Sequence, residues 1–403
     1  MTRPLAGLKV HDLSRVLAGP WCTQLLADMG ADVLKIERPG VGDDTRHWGP
    51  PWHEVGDVKV AAYFLSANRG KRSAAIDFAR PEGADLVRRL ALDADVMVEN
   101  FKVGGLAKFG LDSASLRASN PRLITASITG FGQDGPYAHR AGYDYILQGM
   151  SGLMSITGLP DDEPGGGPMR IGVAVVDLFT GLYTANAILA ALHARDRTGA
   201  GAAIDSALFD TALAVLGNQA SFYRVSGNNP PRQGNSHPNI VPYQPFDAAD
   251  QPVIVAVGND RQFARLAAVL GDPALAEPRF ATNADRVVNR DALIPLIAAC
   301  MRLRPAAEWL AALEEAGIPA GPINLINQAL DDQQALFRGM SQIALGGALS
   351  PVAVTGGPVR IDGVRADAPL PPPGLGEHSD AVLAELGLDE AAVANLRRNG
   401  VVG

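Results

Sequence analysis

One carboxylate stands out by its surroundings in the sequence. Asp177 lies between the apolar stretches IGVAVV and LFTGLY, and a carboxylate is costly to bury unless something compensates its charge. A helix is predicted to start just after it, so Asp177 has the position of an N-cap, which aspartate often fills. The macrodipole of that helix would favour the anionic form, and an ionised carboxylate can attack a thioester carbonyl. The cap and the nucleophile are compatible interpretations of this residue.

Cationic residues form a second group that could bind a charged ligand. They lie next to predicted strands, or begin a helix in the case of Lys108, and each alone is typical of a solvated surface charge. Together they could neutralise the phosphates of a nucleotide-like ligand. The group consists of Arg38, Lys71, Arg72, Lys102 and Lys108.

Other classes of site are disfavoured. The sequence has no Gly-x-Ser-x-Gly elbow, no Walker-type loop and no His-Glu-x-x-His, and its 7 histidines are scattered. Cys22 and Cys300 are far apart, which argues against a disulfide framework or a zinc site, so no metal is expected. The net charge of −8 argues against general nucleic-acid binding. No signal peptide or membrane span is recognised, and we expect a cytoplasmic protein.

The elements that must position these residues alternate between strand and helix. Short apolar runs at 8–14, 31–37, 73–78, 94–101 and 123–132 read as strands, with helices between them. This alternation predicts an α/β fold with a parallel sheet, in which ligands bind beyond the carboxyl ends of the strands. The stretch 173–196 is predicted to be a short strand end that runs into a long helix, followed by another helix from about 206 to 225 and a returning strand at 356–364. The predicted strand ends place four segments at the binding crevice: Arg15 to Leu17, Arg38, Asn100 to Lys102, and Gly130 to Gly132.

Long motifs cover nearly the whole chain in a fixed order. They include PLAGLKVHDLSRVLAGPWCTQLLADMGADVLKIERPGVGDDTR, NRGKRSAAIDF, ADVMVENFKVGGLAKFGL, NPRLITASITGFGQDGPY, AGYDYILQGMSGLMSITG and RIGVAVVDLFTGLYTANAILAAL. Together they resemble the family III CoA-transferases, the group that contains formyl-CoA transferase, carnitine CoA-transferase and alpha-methylacyl-CoA racemase. The resemblance implies a transferase of sulfur-containing groups that acts on acyl-CoA and small carboxylic acids, with no permanently bound cofactor.

The resemblance also assigns roles to residues. The family's catalytic aspartate falls on Asp177, which would form a mixed anhydride with the donor acid and then an enzyme-bound CoA thioester. Leu17 stands where some members have glutamine, Ala79 where one has lysine, and Lys108 where arginine is found. The implied CoA contacts are Val16, Leu17, Arg38, Ile76, Ala79, Arg80, Asn100, Phe101, Lys102, Lys108, Ala141, Tyr143 and Asp144.

Contacts to the acyl group are expected in the smaller domain. The glycine-rich lid of formyl-CoA transferase is absent, and VAVGND takes its place, which suggests Gly258 and Asn259. HPNIVPYQPF resembles segments of members that use succinyl-CoA and other dicarboxylates, so Asn235 and His237 could line that end of the site. A structural loop explains this segment equally well.

The family architecture is a large Rossmann-like domain with a parallel sheet built from both chain ends, plus a smaller α+β domain. Two subunits form an interlocked homodimer. The corresponding division of this chain is 1–225 for the large domain with Asp177, 226–325 for the small domain, and 326–403 for the return linker and the rest of the large domain.

Two other functions compete with the transferase. An acyl-CoA racemase of the same family needs a second acid/base group, a histidine in a Gly-His-Asp stretch. Here that stretch is Gly142-Tyr143-Asp144, and a tyrosine is a poor base near neutral pH. A CoA-binding protein without catalysis would have no need of the aspartate, which is present as Asp177.

Overall fold

The structure, a computed structural model, describes residues 3–366 and 370–403. In chain order the strands are β1 (Lys9–Asp12), β2 (Asp32–Glu37), β3 (Trp52–Val55), β4 (Val58–Ala61), β5 (Lys71–Ala75), β6 (Val96–Glu99), β7 (Ile124–Thr129), β8 (Ala203–Ala207), β9 (Tyr243–Asp247), β10 (Pro252–Ala256), β11 (Ala320–Pro322), β12 (Ser341–Ala344), β13 (Val352–Thr355), β14 (Arg360–Ile361) and β15 (Val364–Arg365).

The helices follow the same order. They are α1 (Ala18–Asp28), α2 (Ala62–Leu65), α3 (Pro81–Leu92), α4 (Ser113–Ser119), α5 (Asp144–Met150), α6 (Val175–Thr198), α7 (Leu208–Ala214), α8 (Asn218–Ser226), α9 (Asp260–Leu270), α10 (Asn283–Val288), α11 (Arg290–Met301), α12 (Ala306–Glu315), α13 (Ile326–Leu330), α14 (Gln333–Phe337), α15 (Ser379–Glu385) and α16 (Glu390–Arg398).

The chain divides into two compact units. The first contains 1–153, 171–221 and 332–403, and the second contains 154–170 and 222–331. The sequence-based division placed its boundaries at 225 and 325, whereas this division falls after 221 and 331. The segment 154–170, however, belongs to the second unit, whereas the sequence-based division kept it in the large domain.

A six-stranded parallel sheet forms the first unit, in the order β5-β2-β1-β6-β7-β8. Its strands, except the outer strand β8, are mostly buried on both faces, as parallel strands covered by helices usually are. Val10, Val33 and Val96 belong to one buried cluster with α1 and α6. Leu34, Ile36 and Met97 belong to the other, with α3 and α15. The mixed α/β fold with a parallel sheet, which the alternating pattern predicts, is confirmed.

The first unit contains both chain ends, but the sheet does not. Its six strands all lie between residues 9 and 207, and the predicted returning strand at 356–364 instead forms the separate β14–β15 hairpin. The chain end packs along the edge strand, where Gly403 N donates to Ala75 O (3.0 Å) and Asp77 N donates to Val401 O (2.8 Å). The expectation of a sheet built from both chain ends is therefore corrected.

A second correction concerns the stretch predicted as one helix from about 206 to 225. It begins instead with β8, the outer strand next to β7, and continues as α7 and α8. β8 has the sequence AIDSA, which shows no alternation of apolar and polar residues typical of a strand. Its conformation is decided by pairing with β7 rather than by its own composition.

Helix α6 packs closely against α1 at Gly181. A Cβ on Gly181 would lie 2.7 Å from Ala18 O and 3.2 Å from Cys22 N, so only glycine allows this approach.

By length and composition α6 could also cross a membrane, but the core helix of a globular protein passes the same test. Its buried residues Val176, Ala185 and Ile188 belong to the core of the first unit.

The second unit has its own core. The antiparallel sheet β11-β10-β9 is covered by α9, α11 and α12. Val253 and Val255 of the central strand pack with Phe263, Leu266 and Trp309 from these helices.

Candidate active site

Asp177 lies in the first turn of α6, as its third residue, and not at the cap position. The N-cap is Ala174, which offers no side-chain hydrogen bond. The cap is supplied from α5 instead: Asp144 Oδ2 accepts from Val176 N at 2.8 Å and from Asp177 N at 3.4 Å. The interpretation of Asp177 as its own helix cap is therefore wrong, and Asp144 performs that role.

The segment before α6 is fixed to α5 by a buried glutamine. Gln148 Nε2 donates to Asp144 Oδ1 at 2.6 Å, and Gln148 Oε1 accepts from Ile171 N at 2.9 Å. Gln148 is fully buried. The side chains of α5 therefore hold both ends of the segment 171–176 that leads into Asp177.

The electrostatic setting of Asp177 differs from the expected one. Burial, followed by the negative charge of Asp144, raises the pKa of its carboxyl to about 7. The helix terminus was expected to keep Asp177 ionised, but its free amides are occupied by Asp144. Near neutral pH the carboxyl is therefore divided between its protonated and its anionic form.

Asp177 opens into a cavity of about 200 Å³ at the carboxyl ends of the sheet strands. The cavity wall combines the turn after β1, the turn after β6, the end of β7 and a loop before α5. Ligands in parallel sheets bind at these carboxyl ends of the strands. The two turns are joined: Arg15 N donates to Asn100 Oδ1 (2.9 Å), and Asn100 Nδ2 donates to Arg15 O (2.6 Å). The predicted CoA contacts in this wall are Val16, Leu17, Asn100, Phe101, Lys102, Ala141 and Tyr143.

A second cavity of about 250 Å³ shares Arg15 and Phe101 with the first. It is lined by three more predicted CoA contacts, Arg38, Ile76 and Ala79. Its wall is aromatic, because Phe78 packs edge-on against Phe101 (5.6 Å) and Phe109 (5.8 Å). The first cavity therefore holds the carboxyl group of Asp177, and the second combines aromatic rings with the cations Arg15 and Arg38 and the carboxylates Asp44 and Asp77.

The remaining predicted contacts have defined positions. Arg80 forms an ion pair with Asp77 (3.5 Å), and Lys108 Nζ lies 4.7 Å from the centre of the Phe109 ring. Asp144 caps α6, as described. All four predicted acyl contacts lie in the second unit: Asn235 is exposed, His237 packs against Tyr243, and Asn259 caps α9 beside Gly258.

Tyr63 on α2 was missed by the sequence analysis. Its pKa is raised by burial and then by the negative charge of Asp177, so the two side chains interact electrostatically. The ring of Trp48 packs edge-on against it at 5.3 Å. No signal in AAYFLSAN marks this residue, because only the tertiary structure brings α2 near α6.

Val16 has a conformation that its type does not predict. Its φ of 72° lies in the left-handed region, which a β-branched residue rarely adopts. Such outliers concentrate at functional sites, and this one lies in the wall of the Asp177 cavity.

Metal chemistry has no comparable support, since the described residues contain no group of three His, Cys, Asp or Glu side chains that could hold an ion.

Comparison with known proteins agrees with this arrangement. The family model for CoA-transferase family III matches residues 5–379. Succinate–glutarate CoA-transferase of Agrobacterium fabrum is 50% identical over 95% of this chain and 96% of its own length. Succinyl-CoA:glutarate CoA-transferase of Mus musculus is 42% identical over 99% of this chain and 90% of its own.

A solved structure shows the same fold. The crystal structure of a CAIB/BAIF family protein from Brucella suis has a TM-score of 0.86 and 50% identity, and the match covers 96% of this chain and 100% of that one. The resemblance found in the sequence motifs is thereby confirmed, and so is the assignment to a class of enzymes. The chain belongs to CoA-transferase family III.

Proposed function

We propose that this enzyme moves coenzyme A from an acyl-CoA to a free carboxylic acid, with Asp177 as the covalent carboxylate. The observation that carries the proposal is the position of Asp177 in a cavity that shares Arg15 and Phe101 with a second cavity, which is lined by Arg38, Phe78 and Phe109. Such a path suits a ligand with a thioester at one end, phosphates along its length and a flat base at the other.

The first half of the reaction loads the enzyme. A carboxylate oxygen of Asp177 attacks the thioester carbonyl, and CoA leaves as a thiolate, which produces a mixed anhydride. The thiolate attacks the aspartyl carbonyl of that anhydride, so the donor acid departs as a carboxylate and an aspartyl-CoA thioester remains. Because no water enters these steps, the energy of the thioester bond is retained.

The second half runs the same steps backward with the acceptor. Its carboxylate attacks the aspartyl thioester, the CoA thiolate leaves, and a new mixed anhydride forms. Attack of the thiolate on the acceptor's carbonyl then releases the new acyl-CoA and restores the Asp177 carboxylate. The raised pKa of Asp177 suits this role, since a carboxylate with few hydrogen-bond partners loses little solvation when it attacks.

Coenzyme A would lie along the two joined cavities. Arg15, Arg38 and Lys102 would face its phosphates, and Phe101 would contact the ligand where the cavities meet. Arg80 and Lys108 adjoin Ala79 and Phe109, which line the second cavity. They would approach the outer end of the ligand. The thioester would then reach Asp177 past Val16, Leu17 and Tyr143.

The acids are proposed to be dicarboxylates, with succinyl-CoA as a donor. Support comes from the relatives, whose names specify succinyl-CoA, succinate and glutarate. Asn235, His237, Gly258 and Asn259 of the second unit remain the proposed contacts of the acyl chain.

A homodimer is also proposed, with two interlocked subunits as in the family architecture. Support comes from α6, the helix that carries Asp177. Phe179, Leu182 and Tyr183 are 40%, 46% and 50% exposed, and they form a stripe at the spacing of a helix face. A second copy of the chain would cover this apolar stripe.

Trapping tests the chemistry directly. The enzyme is incubated with succinyl-CoA, treated with borohydride or hydroxylamine, digested and analysed by mass spectrometry. We expect a modified peptide containing Asp177 in the wild type and none in Asp177→Ala, with Asp196→Ala as a control at the far end of the same helix. CoA exchange by Asp177→Ala, without any adduct in the wild type, would refute the mechanism.

A screen of acids tests the substrates separately. Succinyl-CoA is offered with glutarate, with other dicarboxylates and with monocarboxylates of equal chain length. Preference for the monocarboxylates would refute the dicarboxylate proposal and leave the covalent mechanism intact. Sedimentation of the purified enzyme tests the dimer.

A further inference from the structure

The unusual backbone of Val16 is held in place by a buried carboxylate. Asp43 Oδ1 accepts a hydrogen bond from Val16 N at 3.2 Å, and it also accepts from Thr45 N (3.0 Å) and Thr45 Oγ1 (2.8 Å). The side chain of Asp43 is completely buried. The amide of the strained residue is therefore hydrogen-bonded to a buried carboxylate that Thr45 also holds.

A buried lysine holds the other end of the same turn. Lys35 Nζ lies 2.9 Å from Asp43 Oδ2 and donates to Ser14 O at 2.8 Å. Lys35 is also completely buried. The ion pair thus contacts the turn on both sides of Arg15, once at the carbonyl of Ser14 and once at the amide of Val16.

The ion pair is itself anchored in the sheet. Glu37 Oε2 accepts from Asp43 N at 2.9 Å, and Glu37 Oε1 pairs with Arg46 Nη2 at 2.7 Å. Ser14 is fixed further by Asp12, whose Oδ1 accepts from Ser14 N at 2.9 Å. Buried charges connect the turn to β1 and β2. Val16 and Leu17 line the Asp177 cavity, and Lys35 and Asp43 border the second cavity.

We propose that Asp43, paired with Lys35, is a positioning residue that holds the turn 14–17 in the conformation that binds coenzyme A. The inference rests on the proposed function, because it assigns the turn to the CoA site. A buried ion pair contributes little net stability compared with apolar residues of similar size. Its contacts with one strained turn at the ligand cavity point instead to a conformational role.

A purely structural role makes a different prediction. If the pair only supported the fold, its removal would lower stability without a specific effect on ligand binding. If it holds the turn, its removal lets Val16 relax to negative φ, and only a fraction of the molecules keeps the binding conformation. The apparent dissociation constant then rises by the inverse of that fraction, while turnover at saturating ligand stays nearly the same.

The test measures coenzyme A binding by calorimetry in Asp43→Asn, in Val16→Gly and in the double variant. We expect Asp43→Asn to raise Kd for CoA about tenfold, a change equivalent to about 1.4 kcal/mol. The turnover number at saturating succinyl-CoA should change less than about threefold. In the Val16→Gly background the effect of Asp43→Asn should shrink below about threefold, because glycine adopts positive φ without steric cost.

Controls separate the outcomes. Asp57→Asn removes an exposed carboxylate from the same unit and should leave Kd for CoA unchanged. If Asp43→Asn does not fold, Lys35→Gln combined with Asp43→Asn removes both charges without leaving either one unpaired, and the same shift in Kd is expected. Circular dichroism verifies the fold of each variant.

Two results would overturn the inference. One is a folded Asp43→Asn variant that binds CoA as tightly as the wild type. The other is an equal loss of affinity with valine and with glycine at position 16, which would show that the turn conformation is not what Asp43 controls. A wild type that binds no CoA would instead overturn the proposed function, and this inference with it.

Discussion

The side chain of Asp144 accepts a hydrogen bond from the backbone amide of Asp177, with 3.4 Å between Oδ2 and N. The capping carboxylate and the candidate nucleophile therefore share one helix terminus. Asp144 takes the amides that would otherwise stabilise a negative charge nearby, and its own charge opposes ionisation of Asp177. The cap thus keeps the nucleophile in place and also makes it a weaker acid.

The first prediction concerns the pH dependence of enzyme loading. Only the carboxylate form of Asp177 attacks, and its pKa is raised to about 7 by burial and by Asp144. The rate of adduct formation at subsaturating succinyl-CoA should therefore rise about tenfold per pH unit below 7 and level off above it. Rapid-quench mass spectrometry between pH 5 and pH 9 measures this, and a flat profile would contradict the assigned pKa.

The second prediction concerns Asp144→Asn. The variant loses the charge that opposes ionisation of Asp177, so the midpoint of the loading profile should shift to lower pH. Loading at high pH should also slow by about tenfold, since a neutral amide caps the helix less well and disturbs the bond to Gln148. Asp196→Asn, at the exposed far end of the same helix, is the matched control. An unchanged midpoint would show that Asp144 acts through geometry alone.

The third prediction concerns stability. The pKa of Asp177 is about 7 in the folded protein and about 3.9 in an unfolded chain, so the native state binds more protons between these values. The contribution of Asp177 to stability is complete below pH 4 and is lost as the pH rises to 7. Asp177→Asn cannot ionise, so its free energy of unfolding relative to the wild type should grow by about 3 kcal/mol from pH 5 to pH 8.

The measurement is the melting temperature of the ligand-free variant relative to the wild type at each pH. A difference that stays constant between pH 5 and pH 8 would mean that Asp177 titrates near its ordinary value. A reversed trend would mean that the folded protein stabilises the anion.

The fourth prediction concerns the contact of α6 with α1. In an open helix interior, replacing glycine by alanine stabilises by about 1 kcal/mol. At Gly181 the new Cβ would lie 2.7 Å from Ala18 O, so Gly181→Ala should instead destabilise by about 1–3 kcal/mol. It should also slow loading, because the first turn of α6 would move. Increased thermal stability in Gly181→Ala would show that the helices do not pack this closely.

The sequence predicts the position of the site better than its internal contacts. Strand alternation is a local pattern, and it correctly brings Arg15, Asn100 and Gly130 to one edge of the sheet. The apolar stretches around Asp177 likewise mark it as a buried charge. These features are predictable because each depends on a few neighbouring residues.

The parts that the sequence does not predict depend on contacts between distant segments. Asp144 caps a helix that starts 31 residues later along the chain, and position alone assigned that cap to Asp177. β8 is a strand because β7 pairs with it, although its own residues are mostly small or polar. Val16 has a left-handed backbone and donates its amide to Asp43, a contact that no local propensity reveals.

The hydrogen bond from Arg46 to Pro373 O joins residues 327 positions apart. Arg46 also pairs with Glu37, which binds the amide of Asp43, so the network behind the Val16 turn includes a late part of the chain. A ribosome adding 5–20 residues per second needs roughly 15–65 s to make the intervening stretch. During translation the second unit is complete before this network can close. Because Pro373 is made late, the hydrogen bond that links Arg46 to it forms only after the segment that carries the Lys35–Asp43 pair has been synthesised.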